Sequence, residues 1–383
     1  MKKKLLTTLL VIALLLLLCG GAVVVIDPFM HFHGPLAGLE YPLKDERYIN
    51  DGIQRHYDYS VMITGTSMSQ NMRPSLWEDL TGDKAIKTCY SSASFYELSQ
   101  SMERAIAYNS GLKVIISSLD PSMMATDPEE VSYEGIPTYL YDDNVFNDVN
   151  YIFNKDVLLK CLAVINYTRA GNKTTDLDTY GRYDIYHSFG KESILQTFTR
   201  AEKIDVELDE SQPVTAENQS AEDQPVTAEN RPVEEQLETT ENRLKTSESM
   251  LDKATTNLEE NYLSLIRKNP EVNFKFFIPA YSVYYWDNLS RKGLIDDTIE
   301  VEKYVVSELL KEQNVEVYVF DDLTEITNNP DRYMDMLHYD GEMADYILES
   351  VADGRHKIEL GTAEQYFEDI LDYYNNLDFE KFF

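Results

Sequence analysis

A chain of 383 residues with 43% hydrophobic and 11% aromatic side chains is large enough to bury one sizeable core or two ordinary ones. Its 67 acidic and 34 basic residues leave a formal charge of −33, a surface that repels phosphate backbones and excludes nucleic acid as a partner. The three cysteines show neither a disulfide framework nor a metal-site spacing, so no metal or cofactor is expected; Cys19 lies in the first apolar run, and Cys89 and Cys161 can pair only if the fold brings them together.

Residues 1–4 bring Lys2, Lys3 and Lys4, and residues 5–26, LLTTLLVIALLLLLCGGAVVVI, bring no charge at all. At about 1.5 Å per residue this run can cross a hydrocarbon core of roughly 30 Å. The basic flank predicts a cytoplasmic N-terminus with the body outside the cytoplasm. No A-x-A-like site follows the apolar run, which favours an uncleaved anchor over a signal peptide. Leu18 fills the position where a lipidated cysteine is preceded by a small residue, so Cys19 is read as part of the span. Residues 27–50 read as a juxtamembrane connector. His31 and His33 alternate there like a metal pair but are read as loop or interfacial residues.

From residue 51 the pattern alternates. YSVMITG is β-rich; SMSQNMRPSLWEDL suits a helix or a broken helix; AIKTCY is a short strand. SFYELSQSMERAIAYN puts Leu98, Met102 and Ile106 on one helical face, and KVIISSLD is a buried-looking strand. Strands alternating with helices predict a parallel sheet whose ligands bind at the carboxyl ends of the strands, here Gly65-Thr66-Ser67 and Ser118-Leu119-Asp120. Residues 121–200 lack a sustained period and are expected to form a loop-rich excursion over that face, with Tyr180, Tyr183, Tyr186 and His187 available to stack on sugar rings.

Residues 201–245 change character: QPVTAEN occurs at 212–218 and again at 224–230, in an acidic, polar stretch that cannot bury enough surface to order itself. Residues 246–383 resume the α/β pattern. A helix over ESMLDKATTNLEENYLSLIRKNP uses Leu251, Ala254, Leu258, Tyr262 and Leu265, followed by the strands VNFKFFIPAYS and VEVYVFDD and two final helices. The insertion thus interrupts one domain (51–200 with 246–383) rather than dividing two.

Two short motifs carry chemistry. Ser67 ends a strand and opens a helix, where neighbouring N–H groups can serve a nucleophile and the oxyanion it generates, although a serine there can equally cap the helix. Far along the chain, YMDMLHYDG sets Asp335 three residues before His338. In a tight turn that spacing lets a carboxylate orient one imidazole nitrogen while the other faces a hydroxyl.

Together these residues resemble the SGNH/GDSL hydrolase superfamily, whose nucleophile block Gly-Asp-Ser is matched by Gly65-Thr66-Ser67 and whose Asp-x-x-His block is matched by Asp335-Met336-Leu337-His338. The resemblance covers about residues 55–352 apart from the insertion. It implies a flavodoxin-like three-layer fold, with Ser67 as nucleophile, His338 as general base and Asp335 as its partner. Thr66 replaces the family's Asp, and Asp120 stands where the family's Gly-x-Asn block supplies an oxyanion-hole donor. The oxyanion hole is therefore expected from the N–H groups of Ser67 and of the YSSAS loop around Ser92 and Ala93. An anchor followed by an extracytoplasmic body is also the layout of alginate O-acetylation and D-alanyl teichoic acid transfer proteins. The resemblance implies a serine esterase or O-acyltransferase acting on a cell-surface glycan or wall polymer, or else an inactive scaffold that binds glycan or a membrane-bound O-acyltransferase.

Overall fold

The computed structural model describes residues 2–133, 135–203 and 240–383, so the repeated QPVTAEN stretch and most of the 201–245 insertion lie outside the described residues. Six strands form one sheet: β1 (Val61–Thr64), β2 (Ala85–Lys87), β3 (Val114–Ser118), β4 (Asn273–Ile278), β5 (Val315–Val319) and β6 (Lys357–Ile358). Their order is β2-β1-β3-β4-β5-β6; all neighbours are parallel except β5 and β6. The strands read as continuous apolar runs because helices cover both faces: all four residues of β1 are buried, as are the last four of β3.

Right-handed crossovers send the β1–β2 connection to one face and the later ones to the other. Accordingly helix Pro74–Thr81 packs with Gly341–Asp353, while Phe95–Tyr108 packs with Glu46–His56 and with the stretch after Asn257, and Ile295–Leu309 packs with Thr240–Asn257 and Leu360–Asn375. The order reverses between β1 and β3, which opens a crevice at their carboxyl ends.

Several elements differ from the sequence expectation. The connector does not run to residue 50, because Glu46–His56 is a helix that buries Asn50, Asp51 and Gln54 beside Ile49 and Ile53. The expected loop region 121–200 contains a 15-residue helix, Lys155–Arg169, packed against the N-terminal helix Lys2–Ile26. The long helix before β4 is interrupted by a π-helical stretch, Leu258–Leu263; Asn257 and Asn261 on and before it bond to the carbonyls of Met123, Met124 and Pro128. The two residues of β6 were too few to leave a periodic signal. The N-terminal helix is long and apolar enough to span a membrane.

Candidate active site

β1 ends at Thr64; Gly65, with φ of +124°, turns the chain sharply, and Thr66 then caps a 3-10 turn, Ser67–Ser69, through its side chain to the Met68 N–H. That turn sets Ser67 at the mouth of the crevice. Its N–H donates to no backbone carbonyl among the described residues.

The 333–339 loop brings the other two motif residues to it. His338 Nε2 lies 2.7 Å from Ser67 Oγ, and His338 Nδ1 lies 2.7 Å from Asp335 Oδ2. The second Asp335 oxygen accepts the N–H groups of Leu337 (2.8 Å) and His338 (2.9 Å), so the carboxylate is fixed within its own turn. Burial raises the Asp335 carboxyl, but the bonds from the His338 ring and these two N–H groups outweigh it and hold it below the usual value. The Tyr183 ring meets the His338 ring edge-on, with centroids 5.1 Å apart.

Beneath Ser67 sits a fully buried carboxylate. Asp120 accepts the hydroxyls of Thr66 (2.9 Å), Ser118 (2.6 Å) and Tyr281 (2.7 Å), while Ser118 Oγ accepts the Thr66 N–H. Burial raises its pKa against the pull of those hydroxyls. Asp120, at the position of the family's oxyanion-hole donor, acts here as an acceptor: its oxygens receive hydrogens and tie the Ser67 turn to β3 and to the end of β4. Ala93 departs from the expectation too, because its N–H donates to the Tyr90 carbonyl inside the turn. Ser92 lies exposed at the tip of that turn at φ +52°, with no hydrogen bond to Ser67 among the described residues.

Supporting residues escaped the sequence analysis. The buried ammonium of Lys87 donates to the carbonyls of Gln70 and Met72, clamping the chain that leaves Ser67; burial pushes its pKa down to about 8. Asn71 donates to the Tyr339 carbonyl and accepts the Tyr183 N–H. Glu46 and Gln70 hold Ser91. Tyr281 alone carried a signal, since it follows β4 at the active end of the sheet; the others are polar side chains without a motif.

Two clefts share Arg182 in their linings. One, of about 710 Å³, is lined by Glu46, Lys173, Asp176, Gly181 and Tyr186 among others; the second, of about 520 Å³, by Arg73, Asp184, Arg332, Asp340 and Asp345. Neither lining includes Ser67, Asp335 or His338. Of the four residues that could either pack or stack on sugar rings, Tyr180 and Tyr183 pack, their hydroxyls bonded to Asn50 and to the Tyr339 carbonyl; Tyr186 and His187 are exposed. His31 pairs with Asp148, and His33 faces the carbonyls of Gly34 and Val24. All three cysteines are free.

No protein-family model, curated protein or solved structure matches this chain.

Proposed function

We propose that this protein is a membrane-anchored serine esterase or O-acyltransferase of the SGNH/GDSL type, working outside the cytoplasm on an acylated cell-surface glycan or wall polymer. The observation that carries this reading is the continuous Ser67–His338–Asp335 chain of two 2.7 Å contacts. As Ser67 Oγ attacks the ester carbonyl carbon, His338 Nε2 takes the hydroxyl proton, and Asp335 holds the ring and stabilises its charged form. The Ser67 N–H is oriented by the 3-10 turn to meet the oxyanion. Collapse breaks the bond to the leaving alkoxide, which recovers the proton from His338. The acyl group then sits on Ser67 until water or a sugar hydroxyl attacks it and passes a proton to His338, which returns that proton to Ser67 Oγ as the acyl–Oγ bond breaks.

Consistent with an extended substrate are the two clefts, of about 710 and 520 Å³, that share Arg182. A second reading, a scaffold that binds glycan or a membrane-bound O-acyltransferase without catalysis, is favoured by one observation: Asp120 and Ala93 both have their hydrogen bonds committed inside the protein. Treating the full chain with a fluorophosphonate decides between them. Labelling at Ser67 that is lost in His338→Ala supports the enzyme. A folded protein that stays unlabelled supports the scaffold.

A further inference from the structure

The N-terminal helix is anchored to the body over its last two turns. A Cβ on Gly20 would meet the Ile152 and Phe153 side chains within about 3 Å, Cys161 Sγ approaches the Ala22 carbonyl at 4.0 Å, and His33 Nε2 lies 3.1 Å from the Val24 carbonyl. The stretch that stands free of the body is therefore Leu5–Leu18, exposed throughout. At 1.5 Å per residue it is about 21 Å long, some 9 Å short of a hydrocarbon core of roughly 30 Å. The full apolar run to Ile26 measures about 33 Å and does suffice. A span that begins at the lysines must therefore continue through Cys19–Val24, where the helix is already flanked by protein.

The protein that flanks it carries exposed apolar side chains, set among the exposed polar groups Asp142, Asp143, Asn150, Lys155 and Asp156. Helix Lys155–Arg169 buries Val157, Cys161 and Val164 but leaves Leu159 and Leu162 about half exposed. Phe153, in contact with Gly20, is 55% exposed, and Val149 in the preceding helical turn is 52% exposed. Just before it, a turn closed by Asp142 and Asn144 displays Val145 at 70% and Phe146 at 85%. Side chains of this kind collected around the root of a spanning helix are costly in water and favourable in hydrocarbon.

We infer that these side chains, Val145, Phe146, Val149, Phe153, Leu159 and Leu162, dip into the outer leaflet of the bilayer, with the polar groups beside them at the headgroup level, so that the body is seated in the membrane rather than tethered above it. The inference rests on the reading of Lys2–Ile26 as a membrane span. Immersion supplies the missing length of the span and fixes the body at one height and tilt, which a single flexible tether would not do. It also accounts for exposed leucines on a helix whose other face is already buried.

The test uses the full chain in nanodiscs of phosphatidylcholine and phosphatidylglycerol. An environment-sensitive fluorophore is attached to Phe146→Cys or Leu162→Cys in a Cys19→Ser background, since Cys89 and Cys161 are buried. Leu10→Cys reports on the span and Leu360→Cys on an exposed site of the C-terminal helix. Both face-directed substitutions are at exposed positions, and each labelled protein is required to keep the parent's unfolding midpoint. Labels at 146, 162 and 10 are expected to be quenched several-fold more by acyl-chain nitroxide lipids than the label at 360, and to resist iodide. If 10 is quenched while 146 and 162 behave like 360, the body stands clear of the bilayer; the inference falls and the span survives. If 10 is not quenched, the span and the inference fall together. If 146 and 162 resist both quenchers, a protein surface covers the face, and the lipid assignment is overturned.

Discussion

Tyr339, the residue after the candidate base, donates its hydroxyl to the backbone carbonyl of Met68, the residue after the candidate nucleophile, at 2.6 Å. The two turns that must face each other are thereby tied one position beyond the reacting groups. Asn71 adds a second tie to the Tyr339 carbonyl. The 2.7 Å contact between Ser67 and His338 is the consequence of these fixed backbones, and it does not depend on flexible side chains finding one another.

Tyr339→Phe removes the hydroxyl and leaves the buried Met68 carbonyl unpaired, at a cost of about 1–2 kcal/mol in stability. The expected result is a folded protein whose fluorophosphonate labelling is slowed about ten-fold, equivalent to 1.4 kcal/mol in the barrier. Denaturant unfolding and labelling kinetics on the same sample check both values; an unchanged labelling rate would show that the tie is not needed.

Asp120→Asn distinguishes a structural acceptor from an oxyanion donor. The amide nitrogen cannot accept the hydroxyl of Thr66, Ser118 or Tyr281, so at least one of the three loses its partner and the nucleophile turn loosens, costing about 1–3 kcal/mol. Labelling should fall with stability. Faster labelling in this variant would mean that the position faces the reacting carbonyl after all.

The strands were legible because each is a short, unbroken apolar run ended by small or polar residues, as in VMIT before Gly65 and VIISS before Leu119. The side chains that meet at the candidate site were legible because Ser67 and Asp335-x-x-His338 each sit close to the end of a strand or the start of a helix. What stayed hidden had no period or motif. Glu46–His56 offers only Ile49 and Ile53 as an apolar stripe and turns Asn50, Asp51 and Gln54 inward beside them, so its apolar signal is weak. Lys155–Arg169 is apolar on two sides because one side meets the body and the N-terminal helix and another remains exposed. Lys87 reads as an ordinary strand residue, and nothing local reveals that its ammonium serves two carbonyls near Ser67.

A buried acid cluster predicts the pH dependence of stability. Both oxygens of Glu302 and one of Asp321 lack a hydrogen-bond partner, and both residues are fully buried. Burial, reinforced by the charge of Asp322, pushes the Asp321 carboxyl up to about 8; burial and the charge of Asp321 raise Glu302 as well. In the unfolded chain these carboxyls lose their protons near pH 4. Between there and pH 8 the folded state holds more protons, so stability falls as pH rises across that window. Asp321→Asn should therefore raise the unfolding midpoint at pH 8 and change it little at pH 4, and a wild-type midpoint that is flat from pH 4 to 8 would contradict the assignment.

Gly65→Ala tests the turn on which the whole site depends. A methyl group there would stand 2.5 Å from Ser69 Oγ, 2.6 Å from Ser118 Oγ and 2.9 Å from the Ser118 nitrogen. The first two are side chains, but Ser118 is held by Asp120 and its nitrogen belongs to β3, so neither can retreat without moving the sheet edge of the crevice. The φ of +124° adds strain that alanine cannot relieve. Together these cost about 2–4 kcal/mol, and the relaxation that relieves the clash displaces Thr66 and Ser67. The variant should unfold earlier in urea and lose labelling at Ser67 even under conditions where it is fully folded. Normal labelling in folded Gly65→Ala would mean that the nucleophile is positioned from the helix side of the turn and not from β1.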